Sequence, residues 1–421
     1  MDLPYLTPEF PGLAGSIKER ADDFFVQEIP LYEPSGEGEH VYAEIQKVGL
    51  TTFEAVNRVA HALNVSPRDI GYAGMKDAQA VTVQTLSILG TTPEAVMGLK
   101  IPNLTVRWAI RHGNKLRLGH LKANRFAIRL RHVNATDVVK LAPVVQTLQS
   151  RGMPNYFGEQ RFGRRGDNHL LGAAIIRMDA KGLLDQLLGK PMPSIEDPQT
   201  TGGRKAFERG DYKLAMKLWP RKSGMERRVL ARLIKTGKPV AALKAIDQRL
   251  RRLWVSAAQS WMFNQVLAER MNAGTFDKIL PGDLAYKHEN GACFLVEDQA
   301  TEQTRADAFE ISPTGPLVGY RMTLPNGEPL KIEESVMAQA HLHPEDFKKE
   351  GGERVKGARR PLRVKPEDFA LTGGVDDHGP HITVAFTLPA GSFATVLLRE
   401  LTKDREPLTP DDAVEMEEAE G

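Results

Sequence analysis

The chain has 421 residues and a mass of 46.6 kDa, too long for one ordinary core, and its 41% hydrophobic and 26% charged content describes two to three globular domains. No apolar run approaches the roughly 18–20 residues of a membrane span, and the opening residues lack the basic and apolar regions of a secretory leader. The single cysteine, Cys293, excludes an internal disulfide and any cysteine-rich zinc or iron–sulfur cluster, usage that suits the cytoplasm.

In chain order, Val41, Ala43 and Ile45 alternate with polar neighbours and predict a half-buried strand. Thr51 or Thr52 then caps a helix with Phe53, Val56, Val59, Ala60 and Leu63 on one stripe. Strand patterns follow at 81–89, 104–110, 115–118 and 126–130, and a helix runs from Thr136–Asp137 to Gly152. Asp167 is placed to cap the next helix, 250–271 reads as a long amphipathic helix, and 294–296 and the Pro313–Gly315 turn look like β structure. A charged, glycine-containing break at 350–360 precedes a strand at 382–386 and a last helix capped by Ser392. These elements predict an α+β fold with a mixed sheet, divided by an inserted middle region.

The net charge of +2 hides a segregation. Residues 201–252 hold 16 Lys/Arg, Arg227 and Arg228 among them, against Glu208, Asp211, Glu226 and Asp247. A second basic stretch runs from Lys348 to Lys365, and from Asp404 onward the tail holds eight acids and one arginine, predicting a disordered end. A single basic run is usually a solvated helix face. Two of them in a near-neutral chain point toward a polyanion, since phosphate neutralisation releases counterions.

Gly71-Tyr72-Ala73-Gly74-Met75-Lys76-Asp77 lies between a helix and a strand, with glycines that permit close approach or positive φ. It lacks the Gly-Lys-Ser/Thr ending of a phosphate-binding loop, and no strand is expected to lead into it as a dinucleotide fingerprint requires. Spacing alone leaves two readings open, a glycine turn with a solvated Lys-Asp pair or an aspartate presented at a cleft. His341 and His343 have no carboxylate spaced to complete a metal site, and no nucleophile elbow is present. Asn155–Gly163 (NYFGEQRFG) reads equally as a hydrophobic hinge or as an aromatic-and-arginine platform for RNA.

Together GYAGMKDAQAVTVQ (71–84), NYFGEQRFG (155–163) and LPAGSFATVLLREL (388–401) resemble the TruD family of tRNA pseudouridine synthases. Lys18 followed by Asp23-Phe24 and Val26, and Asn124-x-Phe126, support the resemblance, which spans nearly the whole chain. Two departures stand out: Ala21-Asp22 replaces the family's usual Pro-Glu before Asp-Phe, and the stretch around 342–356 is longer than common.

The resemblance implies a pseudouridine-synthase catalytic core from residues 1–154 and 359–403, an inserted family-specific domain over 155–358, and the acidic tail 404–421. It implies isomerisation of a uridine in tRNA, at position 13 and typically of glutamate tRNA, in the cytoplasm, with no cofactor, no metal and no obligate protein partner. Asp77 would be the nucleophile and Lys18 its charge partner, because a carboxylate withdrawn from water beside RNA needs a cation. Phe24, Phe126 and Phe393 would surround the extruded nucleotide, Asn124 would read the uracil edge, and Arg161 would meet RNA. A tRNA-binding module without activity would need the same basic block and rings; only Asp77 separates the two.

Overall fold

The computed structural model describes residues 3–348 and 353–403, so the tail expected from 404 lies outside the described residues. The chain is α+β and divides into two units, one built from residues 5–155 with 363–403 and the other from residues 156–362.

The first unit begins with strands β1 (Phe24–Pro30), β2 (His40–Val48), β3 (Ile70–Tyr72), β4 (Val81–Leu89), β5 (Leu104–His112) and β6 (Leu121–Leu130), followed by the short β7 (Met153–Pro154). Residues 115–118, where alternation predicts a strand, form none; the Leu116 amide is instead taken by Ser87 Oγ at 2.9 Å. Between β2 and β3 the helix Thr52–Leu63 opens on a capping box, in which Thr51 and Glu54 exchange side-chain and backbone hydrogen bonds. Its apolar stripe closes over Val41, Ala43 and Ile45 of β2 and Leu86 and Ile88 of β4.

The second unit is mostly helical and carries strands β8 (Leu284–Lys287), β9 (Cys293–Leu295), β10 (Ile311–Leu317) and β11 (Ala358–Pro361), paired in the order β11-β10-β8-β9. Pro313–Gly315 is therefore strand and not a turn. One core gathers the helices between Asn168 and Leu243 around Trp219 and Trp254. The helix Asn168–Arg177 crosses the long helix Gln248–Asn272 so closely that a Cβ at Gly172 would stand 1.9 Å from the Trp254 carbonyl oxygen. Asp167 is the N-cap of its helix, as expected, but caps it through its backbone carbonyl alone, because its carboxylate accepts from Arg165 Nε and Gln186 Nε2.

Residues 358–361 pair with β10 from Thr314↔Pro361 to Leu317↔Ala358, so the chain passes back between Leu362 and Arg363, later than residue 359. There β12 (Arg363–Val364) pairs with β7, and β13 (Glu367–Asp376) and β14 (Gly379–Pro389) form a hairpin added to β6. The resulting eight-stranded mixed sheet runs β13-β14-β6-β1-β4-β2-β5, with β3 also on β4. Among the described residues only β1 and β4 pair in parallel, and both lie inside the sheet. The last helix is Ala394–Thr402; its N-cap is Phe393, in extended conformation, rather than Ser392.

Two polar clusters tie distant segments together. Buried Glu400 accepts from the Leu6 and Thr7 amides and from Thr7 Oγ1, and Lys403 pairs with it at 2.9 Å. Arg131 donates to Asp23 through Nε and Nη2 and to Asp376 through Nη1 and Nη2, while its backbone bridges to Ser16. Asp23 is fully buried, so removing Arg131 takes away both of its guanidinium hydrogen bonds and leaves it only the longer ion pair to Arg129 at 3.8 Å. Arg131→Ala is expected to destabilise this unit by about 3–5 kcal/mol, read as a lower urea midpoint; an unchanged midpoint would refute the clamp. Arg131 also holds the Asp376 carboxyl well below the usual carboxylate range. A depressed folded value means this contribution is complete above the unfolded aspartate value of about 3.9 and fades as pH falls below it. Melting temperatures below pH 4 should therefore drop more steeply for the wild type than for Asp376→Asn.

Candidate active site

The Gly71–Asp77 segment leaves β3 and enters β4, so a short strand does lead into it. Its backbone is fixed from below by side chains of β2, β4 and the following helix. Lys47 Nζ, fully buried, donates to the carbonyls of Lys76 (3.2 Å), Asp77 (3.1 Å) and Leu50. Thr52 Oγ1 accepts from the Lys76 amide and donates to Gln84 Oε1, each at 2.9 Å, and Gln84 Nε2 donates to the Gly74 carbonyl. A backbone held at Gly74, Lys76 and Asp77 aims one side chain of the turn. Asp77 is that side chain, and it remains 43% exposed.

Asp77 Oδ2 pairs with Lys18 Nζ at 3.0 Å, and the lysine side chain is only 2% exposed. Lys18 adopts φ 58°, a left-handed conformation that L side chains rarely take. It sits between two attachments of its segment to Arg131, the Ser16 backbone bridge and the Asp23 ion pair. The ammonium also lies 4.7 Å from the centroid of the Phe24 ring, so cation, carboxylate and ring form one assembly.

Lys76 does not point outward, as its place beside Asp77 in the sequence suggests. Its side chain is 7% exposed and its Nζ meets Glu28 Oε2 at 2.9 Å. Burial raises the Glu28 pKa, opposed by the Lys76 charge and hydrogen bond and, more weakly, by the Thr85 amide. Glu28 lies opposite Asn124 in the β1–β6 register, and Asn124 is opposite Leu388 of β14. Phe126, two residues on, packs edge-on against Phe24 at 6.4 Å and stacks on Phe386 at 5.1 Å.

The expected residues thus divide. Lys18 meets both Asp77 and Phe24, Phe126 adjoins Phe24, and Asn124 lies opposite Glu28, the partner of Lys76. Phe24 and Phe126 are buried, their broad surfaces largely committed to the core, while Phe393 is half-buried at the start of the last helix. Arg161 belongs to the other unit, where its guanidinium stands 5.7 Å from the Phe157 ring, and Arg360 lies 4.2 Å from the same ring. Phe157 and Phe162 are core rings there, which favours the hinge reading of 155–163 over an open aromatic platform.

Lys47 and Glu28 have no place among the candidates from sequence. Lys47 continues the inward positions Val41, Ala43 and Ile45, and a lysine at a core position of a strand is the available signal.

In the second unit, 13 of the 16 basic residues between 201 and 252 are exposed. Arg204 and Arg227 are not free for a ligand: Arg204 Nη1 donates to the carbonyls of Leu187 and Gly189, and Arg227 Nη1 to those of Met216 and Trp219. Arg228 and Arg232, one turn apart on the helix Gly224–Thr236, are exposed.

No helix among the described residues is long and apolar enough to cross a membrane, and no group of three or more metal-binding side chains occurs among them. The family model for tRNA pseudouridine synthase D matches residues 1–401. A protein named tRNA pseudouridine synthase D from Geotalea daltonii is 46% identical over 403 residues, covering 95% of this chain and 99% of that relative. Another of the same name from Geobacter metallireducens is 46% identical over 404 residues, covering 96% and 98%. A solved structure described as a TruD protein of Methanosarcina mazei superposes with a TM-score of 0.84 at 27% identity, covering 98% of this chain and all of that one. The chain belongs to the tRNA pseudouridine synthase D (TruD) family, whose members are isomerases.

Proposed function

We propose that this protein converts a uridine of tRNA, at position 13 of glutamate tRNA, to pseudouridine, using Asp77 on a nucleotide turned out of its stack. The observation that carries the reading is the half-exposed Asp77 carboxylate held 3.0 Å from a buried lysine, on a turn whose backbone has no freedom to withdraw it. In the reaction the N1–C1′ bond breaks, C5 bonds to C1′, the C5 proton goes to solvent and N1 regains a proton. No redox partner is needed. Attack at C1′, attack at C6 and proton abstraction toward a glycal all require an oxygen base that stays charged as it leaves water, and Lys18 supplies that condition.

Extruding the base costs a few kcal/mol. Stacking on a ring returns about 1–3 kcal/mol. Of the three candidate rings, Phe393 is the one left partly open at the end of the last helix, while Phe24 and Phe126 offer edges from a packed row. Asn124 would meet the uracil edge, and Arg161 would contact RNA from the other unit. The exposed basic helices of that unit suit the phosphate backbone, which supplies affinity without sequence readout. A binding protein without activity would not require a carboxylate so held.

Tritium release from C5-labelled uridine in tRNA tests the assignment. The wild type should release tritium, and Asp77→Asn should release none above background while still binding tRNA; equal release would remove Asp77 from the chemistry. Reversal of charge at Arg228 and Arg232 should weaken tRNA binding and reduce the slope of log affinity against log salt by about two. Unchanged affinity would take this helix out of the RNA surface.

A further inference from the structure

Two oxygens lie buried without a hydrogen-bond partner beside the aspartate turn: Glu28 Oε1 and Asn124 Oδ1. Their residues are directly opposite on the antiparallel strands β1 and β6, so both side chains emerge on the same face. Two buried acceptors on cross-strand neighbours, each without a partner, are each costly, since a buried polar atom left unpaired forfeits about 1–3 kcal/mol. One rotation removes both costs. Turning the Asn124 amide over exchanges Oδ1 with Nδ2, so that Nδ2–H donates to Glu28 Oε1 and Oδ1 is directed away from the carboxylate.

Which way the amide faces is decided by Glu28. Its Oε2 is taken by Lys76 Nζ at 2.9 Å, and Gly74 leaves no bulk in the way: a Cβ there would stand 2.9 Å from that Nζ and 3.6 Å from Oε2. Ionised beside the ammonium, the carboxylate is an acceptor, and an acceptor at Oε1 demands the amide nitrogen from Asn124. The oxygen of Asn124 then faces the base. Uracil presents a donor, N3–H, between two carbonyls. Cytosine presents a bare N3 acceptor at the same place.

We propose that Glu28 is a specificity-determining positioning residue: by fixing the Asn124 amide with its oxygen toward the substrate, it makes the site accept uracil and reject cytosine. The inference rests on the proposed pseudouridine synthase reading, and on Asn124 facing the base within it.

Glu28→Gln reverses the logic with almost no change of shape. Lys76 still requires an oxygen, so the new amide turns its carbonyl to the ammonium and its NH2 toward Asn124. That NH2 needs the Asn124 oxygen, which leaves the asparagine NH2 facing the base, where cytosine N3 is as good a partner as a uracil carbonyl.

The test compares glutamate tRNA transcripts carrying uridine or cytidine at position 13, bound by the Asp77→Asn protein so that no turnover intervenes. Uridine should be preferred by about tenfold or more, as one matched against one clashing hydrogen bond requires. Adding Glu28→Gln should collapse or invert that preference, with a circular dichroism melt showing that the protein is folded. Asn124→Ala, which leaves the Glu28–Lys76 pair intact, should collapse the preference as well, and combining it with Glu28→Gln should cause no further change. A uridine preference retained in either variant, or absent from the parent, overturns the inference. Wild-type pseudouridine formation is assayed alongside: its absence would overturn the functional reading itself, whereas its presence with a retained preference would overturn only the role of Glu28.

Discussion

Three lysine ammonium groups are buried around a single turn, and each has a different partner. Lys18 meets the Asp77 carboxylate, Lys47 meets backbone carbonyls, and Lys76 meets Glu28. A buried ammonium without a partner costs several kcal/mol, so each lysine dictates where its acceptor must stand. The turn is therefore shaped less by its own conformational preferences than by the cations beneath it. Lys47 fixes its backbone at residues 76 and 77, Lys76 ties it to β1, and Lys18 fixes the carboxyl group that emerges. The glycines serve the same end through space. Gly71 and Gly74 do not need left-handed backbone, but a Cβ on Gly71 would stand 2.2 Å from the Leu116 carbonyl oxygen.

This arrangement draws on strands far apart in the chain. β6, which carries Asn124 and Phe126, lies between β1 and β14, and β14 is made only after the whole of residues 156–362. Until then β6 has an unpaired edge and Phe126 lacks Phe386. The N-terminal segment is incomplete for the same reason, because Leu6 and Thr7 wait for Glu400. The site is thus assembled from both ends of the chain, with contacts hundreds of residues apart, and such non-local pairing makes for slow completion of folding. Arg131 is one point of completion: its guanidinium joins Asp23 to Asp376 while its backbone bridges to Ser16, on either side of Lys18 in the chain.

Local patterns are legible in the sequence wherever local forces decide. Alternation at 41–45 and the capping box at Thr51–Glu54 announce β2 and its helix, because period and cap are readable within a dozen residues. The aspartate turn is legible through resemblance, while its spacing alone leaves a solvated Lys-Asp pair open. What escapes is set by partners distant in sequence. Lys76 reads as solvated because Glu28 is 48 residues away, and the Asp167 carboxylate reads as a side-chain cap because Gln186, which competes for it, is 19 residues away. Ser392 has the residue type of an N-cap, yet the chain turns helical one residue later, after an extended Phe393. The return of the chain after Leu362 is invisible without the β10–β11 pairing.

Phe126 illustrates how a residue can serve core and site at once. Asn124, Phe126, Ile128 and Leu130 share one face of β6, and along that face burial deepens from half-buried Asn124 to fully buried Ile128 and Leu130. A strand that runs from core to cleft must pass through residues that belong to both. Phe126 occupies that point: Phe386 stacks on it and Phe24 meets it edge-on, which leaves little rotational freedom in either ring. Since Lys18 lies over Phe24, the packing of this row also sets where the ammonium stands, and through it where Asp77 is held. The position of the carboxylate is therefore a property of the hydrophobic row as much as of the ion pair, and a cavity cut at Phe386, linked to Lys18 through Phe126 and Phe24, would loosen both.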